Sequence, residues 1–152
     1  MNRNAFARSY KELIVYQRAR ETAKELFAIT KAFPKEEMYS LTDQLRRSSR
    51  SIGAQIAEAW AKRRYPNHFT SKLTDADGEQ LETQHWLTTA YDCAYITADT
   101  MNAWTSKLEE IGRMVQRMID LAESFAGHTT NALKESSDSY GNINEFFSDT
   151  EH

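Results

Sequence analysis

Residues 101–125, MNAWTSKLEEIGRMVQRMIDLAESF, carry Met101, Trp104, Leu108, Ile111, Val115, Met118, Ala122 and Phe125 at alternating three- and four-residue steps without a break. On a helix this spacing gathers all eight on one seam, the pattern of helices packed in bundles. Such a seam needs partners, and three further stripes precede it. Leu41, Leu45, Ser48, Ile52, Ile56 and Ala59 define a helix expected over residues 35–64, ended by Pro66. Tyr16, Ala19, Ala23, Leu26, Phe27 and Thr30 define an earlier one over residues 10–32, with Ser9 and Glu12 as its capping box and Phe33-Pro34 as its break. Phe69, Leu73, Ala76, Gln80, Thr83, Leu87, Ala90 and Ala94 give the remaining helix, residues 67–96, with a polar middle.

Short connections make neighbouring helices antiparallel. The expected fold is therefore all-α: an antiparallel up-down-up-down four-helix bundle over residues 1–126. From residue 127 to 152 the periodicity disappears and Ser, Asn and acidic residues dominate, so a flexible, polar, acidic tail is expected. Its Tyr140, Phe146 and Phe147 are the side chains that could dock.

The chain's 152 residues suffice for one domain with a real core and are few for two. Its 40 % hydrophobic content, with two prolines and five glycines, favours continuous helices over a turn-rich β fold. No apolar run approaches the roughly 20 residues that span a bilayer, and the start MNRNAFARSY has no apolar signal region. A cytosolic location and no membrane partner are expected. The lone Cys93 cannot close an internal disulfide, which fits a reducing compartment, and is expected to be a small buried hydrophobe.

The net charge of −3 conceals a division. Residues 1–65 carry +7, residues 66–126 carry −6 and residues 127–152 carry −4. A split of this kind either steers an anionic partner to one face or lets the halves of a bundle attract each other. Helix two holds most of the question. With Leu45 at zero and 100° per residue, Ile52 and Ile56 fall within about 20° of the seam, whereas Arg46, Arg50 and Arg64 fall at about 100° to 140°. Together with Arg47 farther round, and Lys62 and Arg63 at the helix end, they form the candidate nucleic-acid-binding set, since clustered arginines are the electrostatic footprint of phosphate binding. The competing structural reading assigns these charges to solvent, to the helix dipole, or to ion pairs across an oligomer interface with Asp75, Asp77, Glu79 and Glu82 of helix three. Trp60, at the edge of its seam, and Trp86, about 220° from the helix-three seam, are candidate interface anchors.

Glu82 and His85 match the Glu-x-x-His spacing of di-iron bundles. Both lie about 120° to 180° from the seam, and no second such pair occurs. No metal ligand, cofactor or catalytic residue is therefore assigned; an enzyme would need Glu82 and His85 to turn inward beside Glu25, Glu58 or Glu110. The acids of helix three are read as a solvated or partner-facing surface, because proximity along one helix does not make a convergent site. No Gly-rich phosphate loop, nucleophile elbow or zinc spacing is present.

Several motifs carry a family resemblance: VYQ at residues 15–17, FPKEE at 33–37, LTDQLRRSSRSI at 41–52 and IAEA at 56–59. Over Leu13 to Phe125 the sequence resembles the bacterial four-helix bundle family described as S23 or 23S rRNA intervening-sequence proteins, which includes the accessory variability determinant of diversity-generating retroelements. It departs at Gly53, Ala54, Gln55 and Ala59, where the commoner family motif has proline, serine, asparagine and glycine. The resemblance implies an antiparallel bundle assembled into a homopentamer, no catalytic residues, and in the accessory determinant an adaptor that binds nucleic acid and a reverse transcriptase through a basic surface. The expected function is a non-enzymatic, homo-oligomeric scaffold or adaptor that contacts RNA or DNA through Arg46, Arg47, Arg50, Lys62, Arg63 and Arg64. The alternative is a purely protein–protein assembly module; a metal-binding bundle enzyme is the third.

Overall fold

The computed structural model describes residues 9–130 and 142–149. Its helices are α1 (Ile14–Thr30), α2 (Leu41–Ala61), α3 (Pro66–Asp92), α4 (Ala98–Asp120) and α5 (Ala122–Thr130). Each of α1 to α4 packs on its two neighbours, with α4 closing back on α1, so the four long helices form the expected up-down-up-down ring. Helix α5 continues α4 after a break at Leu121, whose backbone leaves the helical region at φ −107° and ψ 22°. Among the described residues there are no strands beyond one isolated bridge between Leu13 and Phe147.

The ends of the helices follow local chemistry. Ser9 caps a single 3-10 turn, Tyr10–Glu12, by accepting from the Lys11 amide at 3.1 Å. Glu12 donates its own amide to the Ser9 carbonyl, so in place of the expected capping box Ser9 and Glu12 close a 3-10 turn ahead of α1. Helix α2 begins at Leu41, later than expected, because Ser40 sits outside the helical region and the Leu41 amide is satisfied by the Glu37 carboxylate at 3.2 Å. Pro66 occupies the first turn of α3, where its missing amide costs nothing.

Helix α3 ends at Asp92 rather than near residue 96. Ala94 adopts φ 62°, its amide bonds the Tyr91 carbonyl, and the Tyr95 amide reaches back to Ala90 at 2.9 Å. This is a Schellman closure with alanine at the left-handed position that glycine usually fills. The early stop leaves Cys93 in the turn and exposed, so it is not the buried hydrophobe expected from sequence.

The two interhelical corners at this end meet, with Tyr95 donating to the Glu37 carboxylate at 3.2 Å and its ring 5.5 Å from that of Phe33. At the opposite end, residues 142–149 close the bundle. Ile143, Phe146 and Phe147 are buried, with Phe146 5.4 Å from Phe125 and Phe147 5.8 Å from Trp60 between ring centroids. The Ser148 amide bonds the Glu12 carbonyl at 2.9 Å, Gln17 donates to the Ser148 hydroxyl, and Arg117 pairs with Glu145 at 3.3 Å. Where composition pointed to a polar tail, this stretch brings three large apolar side chains to an open bundle end, which they cover. Tyr140 and residues 131–141 and 150–152 lie outside the described residues.

The core holds most of the predicted seams. Leu45, Ile52, Ile56, Phe69, Leu73, Leu87, Leu108, Val115 and Phe125 are almost fully buried. Trp104 is only partly buried, with Lys107 over its ring at 4.4 Å. In the polar middle of α3, the Thr83 hydroxyl bonds that of Ser48 at 2.9 Å, and Gln80 bonds Asp77 and Gln84, so buried polar groups are joined in pairs. Helix α1 differs from expectation. Its core side is Val15, Ala19, Thr22, Leu26 and Thr30, while Tyr16, Ala23 and Phe27 are only half-buried and turn toward α2.

Candidate functional site

That rotation of α1 creates a groove. With Leu26 at zero, Ala23, Tyr16 and Phe27 lie at about 60° to 100° on α1, and Arg20, Lys31 and Lys24 at about 120° to 160°. On α2, counted from Leu45, Gly53, Arg46 and Arg50 occupy about 80° to 140°. The two antiparallel helices therefore present matching gradients from core to apolar shoulder to cationic rim. Between them runs a cleft of about 330 Å³ lined by Ala19, Arg20, Ala23, Lys24, Phe27, Arg50 and Gly53.

Phe27 organises the charges. The Arg46 guanidinium lies 4.6 Å from its ring centroid, the Lys31 ammonium 4.9 Å and the Arg50 guanidinium 5.3 Å. Attraction between a cation and the ring's negative face allows three like charges to gather there. Arg46 is further fixed by donating from Nε to the Thr30 hydroxyl at 2.8 Å. Among the described residues, none of Arg20, Lys24, Lys31, Arg46 and Arg50 forms an ion pair with a carboxylate.

The other basic candidates are committed elsewhere. Arg47 points away from α1 and donates to both Glu82 carboxylate oxygens at 2.8 and 2.9 Å, with Glu79 at 3.9 Å. Glu82 therefore holds α3 to α2 inside one chain with Glu79 beside it, where the sequence had offered both for an interface between chains. Burial raises the Glu79 carboxyl above the usual range, the neighbouring Glu82 raises it further, and Arg47 opposes both. Asp77 accepts from Gln80 at 3.0 Å, and Asp75 is exposed.

Lys62, Arg63 and Arg64 sit in the turn after α2, 12 to 14 residues along from Arg50 and outside the groove. Arg63 folds over Trp60 at 4.2 Å and donates to the Trp60 carbonyl at 2.9 Å, so it closes the helix end. Burial lowers its guanidinium pKa, and Arg64 adds to the shift. Trp60 itself packs against the chain's own Phe147. Trp86 is partly buried against the core, with its indole nitrogen enclosed and no hydrogen-bond partner among the described residues, so it is less free as an anchor than its helical position suggested.

The residues of the metal reading do not converge. Glu82 is held by Arg47 and His85 is exposed, while Glu25, Glu58 and Glu110 pair with Lys107, Lys72 and Arg18 respectively. Among the described residues, no three His, Cys, Asp or Glu side chains are placed to share a cation, and no helix is long and apolar enough to cross a membrane.

Arg20, Lys24 and Lys31 were missed from sequence, although a signal was present. Residues 20, 24, 27 and 31 follow steps of four, three and four, a stripe of cations interrupted by one phenylalanine.

The family described as 23S rRNA-intervening sequence protein matches residues 11–117, which spans α1 to α3 and most of α4. The bundle is similar to a crystal structure of a protein with unknown function from the S23 ribosomal protein family of Bacteroides thetaiotaomicron. The two share 28 % identity over 70 % of this chain and 96 % of that one, with a TM-score of 0.64. No curated protein matches. The docked segment 142–149 falls beyond the family match, whereas the two helices that form the groove fall within it. The chain is a member of the 23S rRNA-intervening sequence protein family.

Proposed function

We propose that this protein is a non-catalytic, homo-oligomeric adaptor that binds nucleic acid through the α1–α2 groove, with Arg46, Arg50, Arg20, Lys24 and Lys31 as the phosphate-binding groups. The observation that carries this reading is a set of five cations along the groove, Lys31, Arg46 and Arg50 around Phe27, Arg20 over Tyr16 and Lys24 on the cleft lining, none with a carboxylate partner among the described residues. Arg47, Lys72 and Lys107 find an acid within the chain, whereas the groove leaves its charge for an external anion. Exposed arginines and lysines in such a cluster release counterions when phosphates replace them, which supplies affinity without a base-reading motif. The chain's overall charge of −3 confines the attraction to this face. Arg64 and Lys62 lie outside the groove and serve as a second, weaker phosphate contact at most.

Assembly belongs to the same proposal, as a homopentamer by family resemblance. Exposed Tyr39, Leu81 and Tyr91 supply apolar surface for it. The test is fluorescence anisotropy with generic RNA and DNA at low salt, with light scattering on the same samples. An Arg46→Ala/Arg50→Ala variant is expected to lose binding by tenfold or more while keeping the wild-type mass. Unchanged binding in that variant contradicts the groove assignment. A monomer in both proteins contradicts the assembly.

A further inference from the structure

We infer that the groove accepts an unpaired base together with its phosphate, so that the protein selects single-stranded over double-stranded nucleic acid. The inference rests on the nucleic-acid reading above and adds a ligand class to it.

A site for phosphate alone needs charge and no depth. This one has an apolar floor, built from Ala19, Ala23 and the bare backbone of Gly53, with Phe27 as one wall and Arg20, Lys24 and Arg50 at the rim. At about 330 Å³ it lies at the lower end of the range of small-molecule pockets. That is room for one planar group and not for a helix of paired bases. Gly53 contributes to the opening: a methyl group there would stand 3.6 Å from the Tyr16 ring, so the space beside it is real but shallow.

The rim matches the chemistry of a nucleotide. Guanidinium planes and aromatic rings are surfaces on which splayed bases stack, and Arg50 lines the cleft itself while Arg46 is held over Phe27 by Thr30. Arg20 and Lys24, one turn apart on α1, stand where the attached phosphate would be neutralised. A duplex keeps its bases stacked inside and can offer the rim only its phosphates. The difference between the two strands is then the floor, which only an extruded base can reach.

The experiment compares three ligands of equal length by anisotropy at one salt concentration: a single-stranded RNA, the same strand with abasic sites at its centre, and the RNA duplex. Wild-type protein is expected to bind the intact strand at least about fivefold tighter than the abasic one, the range that stacking of a single base supplies. Ala23→Leu, which fills the floor, is expected to erase that difference and to leave duplex binding unchanged. Gly53→Ala, a smaller filling that the Tyr16 distance tolerates, is expected to reduce it part way and serves if Ala23→Leu does not fold. Equal affinity of wild type for intact and abasic strands overturns the inference while leaving the nucleic-acid reading in place. Absence of binding to all three at low salt overturns both.

Discussion

Ala94 shows how much a single position can reveal. It holds φ 62° at the end of α3 and is exposed, so its Cβ adds strain and little packing. Ala94→Gly is expected to stabilise the fold by about 0.5–1 kcal/mol, the relieved strain being offset in part by the more flexible unfolded chain. Thermal unfolding checks this, and a lower midpoint would contradict the Schellman assignment. Glu79 gives a prediction with a pH sign. Its pKa is raised in the fold, so the charged form costs stability above that folded value, and the cost disappears as pH falls toward the ordinary carboxylate range. Glu79→Gln should therefore raise the unfolding midpoint at neutral pH, with the gain shrinking on acidification. A gain that grows on acidification would overturn the stated direction. Neither position was legible in sequence, because both depend on where a helix stops or on what a neighbouring helix brings.

At the level of the helices, α2 and α4 were readable because their apolar residues keep strict three- and four-residue steps and the opposite faces are polar. Helix α1 was readable as a helix but not in its orientation. Its core face includes Thr22 and Thr30, and its aromatic residues Tyr16 and Phe27 stand on the shoulder, so hydrophobicity alone pointed about 50° away from the centre of the core face. The same rotation explains why half the groove was missed: Arg46 and Arg50 were visible on α2, but their partners on α1 become neighbours only after packing. The basic residues of α2 therefore separate into two roles. Arg47→Ala is expected to lower stability by about 0.5–1 kcal/mol, a value discounted for its half-exposed side chain, and to leave RNA binding unchanged. Arg50→Ala is expected to do the reverse, since its guanidinium has no ion pair to lose. Denaturant melts and anisotropy on the two variants separate the roles; a loss of binding in Arg47→Ala would contradict the division.

For the molecule as a whole, the bundle was legible and its closure was not. Phe146 and Phe147 stood out in sequence as side chains that could dock, but Ile143 and the place of docking did not, because their burial depends on an open end between α1, α2 and α5 that no local pattern announces. Phe147→Ala is expected to destabilise by about 3 kcal/mol, the cost of deleting a buried aromatic ring and removing its contact with Trp60. A cost near zero in urea unfolding would mean that the segment is not part of the folded unit. The charges follow the packing too: α4 supplies Glu110 to Arg18, α3 supplies Glu82 to Arg47 and α2 supplies Glu58 to Lys72, whereas the cations of the α1–α2 groove have no ion pair among the described residues. The central claim is that this face serves an external polyanion. It is tested most directly by the slope of log K against log salt for single-stranded RNA, in wild type and in an Arg20→Ala/Lys24→Ala/Arg50→Ala variant. The account predicts a steep wild-type slope that flattens by about 2 in the variant, near 0.7 for each phosphate contact removed. Identical slopes in the two proteins would contradict it.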